Sequence, residues 1–106
     1  MLTDEIKELL AAPRPADASP FLERLDATLT AGYAQALQLE AERRRLERRI
    51  AEVAAELAQP ADGASVDELT SLSQRLTVAN EAVTALRALL ASLRDRRSQI
   101  RLALAS

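Results

Sequence analysis

Apolar residues recur along two long stretches of the chain at steps that alternate between three and four. The first stretch carries Leu22, Leu25, Leu29, Gly32, Ala36, Leu39, Arg43, Leu46, Ile50, Val53 and Leu57. The second carries Leu69, Leu72, Leu76, Ala79, Val83, Leu86, Leu90, Leu93, Arg97, Ile100 and Leu104. That alternation is a heptad seam, the mark of a helix that buries one stripe against another helix. It predicts two long helices, over about 20–58 and 66–104.

Helix breakers divide the chain in agreement with the seams. PRPADASP at residues 13–20 cannot continue a helix, and it sets a Pro-rich linker over 13–19. Ser19 followed by Pro20 reads as a helix start, a capping hydroxyl and then a proline at the first helical position. QPADGAS at 59–65 supplies a turn, after which Ser65 and Glu68 have the spacing of a capping box. Before the linker, residues 1–12 form a short amphipathic helix with Leu2, Ile6, Leu9 and Leu10 on one face. Thr3 is placed to cap it, and Asp4 and Glu5 suit the positive end of its dipole.

Folding one seam back on the other across 59–65 pairs Val53 with Leu69, and every further layer keeps the same sum of residue numbers, 122. Large then faces small: Gly32 falls opposite Leu90, Ala36 opposite Leu86, and Arg43 opposite Ala79. Such pairing fills a core without voids. The fold class is therefore all-α: an antiparallel two-helix coiled-coil hairpin over 20–106 with a short N-terminal helix, pairing into a four-helix bundle dimer.

Two arginines interrupt the seams. Arg43 can lay its stem over Ala79 and reach outward with its guanidinium, and Arg97 can do the same near Leu25. A lone polar residue on a seam fixes register and lowers stability, so Arg43, Ala79 and Arg97 are the register-setting residues. On one edge Asp26, Glu40 and Glu47 face Arg87, Arg94 and Arg101. On the other, Arg49 approaches Arg75 and Glu56 approaches Glu68. A second chain would account for those like-charge pairs.

Composition sharpens the class and narrows the chemistry. Hydrophobic residues make up 48% of the 106 but aromatics only 2%, with 28% charged, a balance suited to long helices. The net charge of −2 creates no general attraction to nucleic acid or anionic membrane. With no histidine and no cysteine, imidazole catalysis, disulfides and the usual zinc sites are excluded. Two glycines cannot build a phosphate loop, and no Ser or Thr has a nearby base. The carboxylates four apart, Asp4 with Glu8 and Glu52 with Glu56, read as solvated helix faces. No catalytic residue, cofactor or metal is expected, and the chain is not read as an enzyme.

What remains is surface. Tyr33, Leu37, Val78 and Leu89 are large apolar groups off the seams and need a cover. With Ile6, Leu9 and Leu10 they are the candidate partner-binding residues. The cover is the N-terminal helix, a second copy, or a docked helix of another protein. Two basic clusters hold the candidate phosphate contacts: Arg44, Arg45 and Arg48, beside Arg43 and Arg49, and Arg96 and Arg101, beside Arg94 and Arg97. The leading expectation is a protein–protein interaction module, an adaptor, regulator or scaffold, as a homodimer with another protein as partner. The alternatives are a nucleic-acid-binding helical dimer using the arginines and an export-type helical chaperone. An acidic start without a basic leader, and no apolar run near the about 18 residues of a membrane span, place it in the cytoplasm without a membrane partner.

Overall fold

The computed structural model describes residues 1–12, 18–58 and 66–105. Among them are three helices, α1 (Leu2–Ala11), α2 (Ala18–Leu57) and α3 (Val66–Ala105), and no strand. The protein is all-α. Linker residues 13–17, the 59–65 turn and its cap Ser65 lie outside the described residues.

The helix ends differ from the sequence reading in small ways with clear causes. In α1 the Glu5 N–H donates to the Met1 carbonyl at 3.0 Å, so Met1 occupies the cap and no side chain caps the helix. Thr3, expected as the cap, lies inside the first turn instead. This start keeps Leu2 on the apolar face and Asp4 and Glu5 at the positive end of the dipole. The helix ends at Ala12, whose backbone is extended (φ −63°, ψ 140°). Pro13 follows, and the ring of a proline disfavours the helical conformation in the residue before it.

Helix α2 begins at Ala18 rather than at the Ser19–Pro20 step. Proline is tolerated there because first-turn N–H groups have no carbonyl partner in any case. At the other end Ala58 donates to the Ala54 carbonyl at 3.3 Å, just past the helix. Helix α3 continues one residue beyond the expected end, to Ala105.

The chain separates into two compact units. Unit 1 comprises Met1–Ala36 and Ala85–Ser106, and so holds α1, the beginning of α2 and the end of α3. Its core is closed: Ile6, Leu25 and Leu93 have no exposure, and Leu9, Leu29 and Leu90 have almost none. Phe21, Ala36, Leu86 and Ile100 are also buried. Gly32 admits Leu90 so closely that an added Cβ would run into the Leu90 Cδ2 methyl. Thr28 is buried and donates from Oγ1 to Glu5 Oε1 at 3.2 Å, tying α1 to α2. Arg96 donates to the Ala12 carbonyl, one of the acceptors that a helix C-terminus leaves without a partner, and its guanidinium stands 5.7 Å from the centre of the Phe21 ring.

Unit 2 is Leu37–Thr84, the rest of α2 and the beginning of α3. Leu46, Val53, Leu72 and Ala79 form its buried cluster, with Ile50, Leu57, Leu69 and Leu76 packed against it but only half-buried. Within each unit the α2 and α3 segments run antiparallel. In unit 1 Asp26 meets Arg97 and Gly32 meets Leu90. In unit 2 Glu42 meets Arg75 and Arg49 meets Glu68.

One property of α3 departs from the reading of the sequence. It contains an 18-residue stretch of mean hydropathy 1.3, of which 28% is buried. By length and composition alone this helix is apolar enough to cross a bilayer. The reason is local: Leu76–Leu93 holds only two charged residues, Glu81 and Arg87. The alanines between the seam leucines raise the average further.

Candidate functional site

An open groove of about 410 Å³ lies on unit 2. From α2 it is lined by Leu39, Glu42 and Leu46, and from α3 by Ser71, Gln74, Arg75, Val78, Ala79 and Ala82. Its origin lies in the seam. Ala79 and Ala82 bring little bulk, and the α2 position paired with Ala79 is occupied by Arg43, whose charged end must leave the seam. Leu39 therefore remains half-buried, and Val78 stands 64% exposed at the groove wall. The rim is polar: Arg75 donates to Glu42 at 3.4 Å, and Gln74 and Ser71 lie beside them.

Arg43 behaves as a seam arginine must. Its Nε lies 3.8 Å from Glu47 Oε1, one turn along the same helix, too long for a hydrogen bond, and that Nε is buried without a hydrogen-bond partner. Arg97 repeats the arrangement in unit 1. It donates to Asp26 Oδ1 at 3.1 Å while its Nε remains buried and unpartnered. A buried donor left unsatisfied costs about 1–3 kcal/mol, which offsets part of what each arginine's packing and ion pair contribute.

The like-charge edge that pointed to a second chain resolves within this one. Arg49 lies among three carboxylates, donating to Glu68 at 2.8 Å and to Glu52 at 3.2 Å, with Glu56 at 3.8 Å. Arg75 is held by Glu42. The hydrogen bond that Arg49 donates to Glu68, and after it the one to Glu52, raises its pKa above the ordinary arginine value. Each arginine expected to repel another arginine is paired with acid, and no second chain is needed to explain that edge.

The expected partner-binding residues divide. Ile6 and Leu9 are buried inside unit 1 and Leu10 is half-buried, so α1 spends its apolar face within the chain. Of the covers considered for the chain's apolar surface, the N-terminal helix is therefore one in use, and Ile6 and Leu9 are not open to a partner in this structure. Leu37 is 61% exposed in unit 2 but does not line the groove. Val78 does line it. Tyr33 is partly exposed and Leu89 half-buried, both in unit 1. Ala82 belongs with Val78 to an off-seam apolar patch of α3, whereas the groove's other apolar walls, Leu39 and Leu46, read from the sequence as core because they lie on the seam. The signal that could have found them is the arginine paired with an alanine on the seam.

The expected phosphate contacts are largely engaged already. Arg45 pairs with Glu42 at 2.7 Å, Arg101 with Asp26 at 3.4 Å, and Arg96 with the α1 terminus. Arg44 and Arg48 are exposed and carry no ion pair among the described residues. The hydroxyls of Thr30, Thr70, Thr77 and Ser92 each donate to the carbonyl four residues earlier, which is a helix's own use for them. Among the described residues no three acidic side chains converge as a metal site would require.

Comparison of the chain with protein-family models, with curated proteins and with solved structures finds no match.

Proposed function

We propose that this protein is a non-catalytic interaction module of the antiparallel helical-hairpin type, which works by pairing its helices with those of another chain. The observation that carries the reading is the unit 2 groove, an apolar floor with a polar rim and Val78 64% exposed at its wall. A floor of Leu39, Leu46 and Ala79 is the chemistry that an amphipathic helix seeks. Self-association of two hairpins into a four-helix bundle is the simplest cover, and docking of another protein as an adaptor, regulator or scaffold uses the same surface.

Binding to nucleic acid through the arginines has less support, because Arg45, Arg49 and Arg101 are paired with carboxylates of their own chain. We also place the protein in the cytoplasm. The apolar stretch of α3 carries all but one of its leucines on the seam, and Glu81 and Arg87 within it are charges that a bilayer interior disfavours.

The test is the solution mass of the full chain by light scattering over a concentration series, beside Val78→Glu. A dimer that Val78→Glu dissociates, with helix content unchanged by circular dichroism, is the expected result. A concentration-independent monomer would remove the four-helix bundle.

A further inference from the structure

We propose that the occupant of the unit 2 groove is the same groove of a second copy, the two α3 helices crossing antiparallel about a two-fold axis at Val78. This deepens the interaction-module reading and rests on it. Three observations on α3 carry it: an exposed valine, a cation with only a weak partner three residues before it, and an exposed acid three residues after it.

A two-fold contact between identical antiparallel helices brings together residues equally distant from the axis. With the axis at Val78, the two valines meet and Gln74 faces the second copy's Ala82. Arg75 then faces Glu81 of the second copy, and the reciprocal pair forms on the other side. Glu81 is exposed and carries no ion pair among the described residues. Arg75 has Glu42 at 3.4 Å, with both side chains substantially in solvent, which leaves donors of its guanidinium free for a second carboxylate.

Orientation follows from the same charges. A parallel two-fold pairing would set Arg75 against Arg75 and Glu81 against Glu81, and like charges across an interface are unfavourable. The antiparallel pairing makes both contacts attractive. Ser71, Ala79 and Ala82 are small, so the second α3 can approach closely enough for its Val78 to enter the groove. In unit 1 the corresponding need is met by α1, which buries Ile6 and Leu9. Among the described residues, unit 2 has no such helix of its own.

The chain has no cysteine, so a single engineered one reports without background. Full-length Val78→Cys, treated with a short bismaleimide, is expected to run as a covalent dimer. Leu37→Cys, equally exposed but off the groove, is expected to remain monomeric on the gel. In sedimentation equilibrium, Arg75→Glu and Glu81→Arg should each weaken the dimer about tenfold or more. The double reversal Arg75→Glu with Glu81→Arg should return it to within about threefold of the original. A dimer that cross-links through Leu37 but not Val78, or that ignores the reversals, would overturn the Val78 axis while leaving self-association standing. A monomer at every concentration would overturn both.

Discussion

Units 1 and 2 are made from the same two helices with the same seam spacing, yet they seal their interiors to different degrees. Among the described residues, six large side chains of unit 1, from Ile6 to Leu93, are at or below 2% exposure, whereas in unit 2 only Val53 is. The remaining leucines of the unit 2 cluster are either buried at 5–6% or left half-buried. The difference is a third helix. Two helices cover one stripe on each other, and the shoulders of the seam remain accessible unless another element lies across them. In unit 1 that element is α1, fastened by Glu5 to Thr28 and by Arg96 to the Ala12 carbonyl. A seam alone makes a pair of helices; a third helix makes a dry core.

The comparison can be broken by substitution, and the largest effect is expected in unit 1. Leu93→Ala removes a fully buried side chain and should destabilise the protein by about 4 kcal/mol, while Leu72→Ala in unit 2 should cost about 2 kcal/mol. Equal losses in urea titrations would mean that the two interiors are equally tight. Next in size, Leu9→Ala should cost about 3 kcal/mol and act locally. Amide hydrogen exchange is expected to quicken over Phe21–Ala36 and to stay unchanged over Leu46–Leu57. Uniform acceleration would show that α1 supports the whole chain and not one unit.

A smaller effect should run the other way. Arg43→Met fills the unit 2 seam and removes a buried donor that has no partner, so it should raise stability by about 1–2 kcal/mol in thermal unfolding. A loss of stability would mean that the arginine holds the helices together. The smallest expected change is Gly32→Ala in unit 1. Alanine favours the helix by about 1 kcal/mol. Its methyl would strike Leu90, and overpacking costs about 1–3 kcal/mol. A net loss of about 1 kcal/mol is expected, and a net gain would show that Leu90 has room to turn aside.

Much of this was readable from spacing and residue size. The three helices follow from two seams whose spacing never slips and from breakers at Pro13, Pro15, Pro60 and Gly63. The Gly32–Leu90 contact follows from pairing the smallest residue of one seam with a leucine of the other. What escaped the sequence depended on conformations that spacing does not encode. Arg96 reads as a phosphate contact because a basic cluster looks alike whether it faces solvent or a helix terminus. The Arg49 network was read as repulsion because pairing positions one by one hides a cation shared by three acids. The groove was hidden because Leu39 and Leu46 occupy core positions. Only the shortage of volume at Ala79 and Ala82 shows that the core stays open there.

The fit of Leu90 against Gly32 bears on errors of assembly as well as on packing. Heptad helices can slip along one another by a whole repeat and still present apolar faces, so slippage is their characteristic mistake. A slip of seven residues in one direction would set Leu90 against Leu25 and leave Gly32 facing Val83 across a gap. In the other direction Leu90 would meet Leu39, and Gly32 would face the charged Arg97. Each misaligned state combines crowding at one level with a void or a misplaced cation at another. The missing side chain at position 32 acts as a detent, giving one alignment of the two helices an advantage over its neighbours.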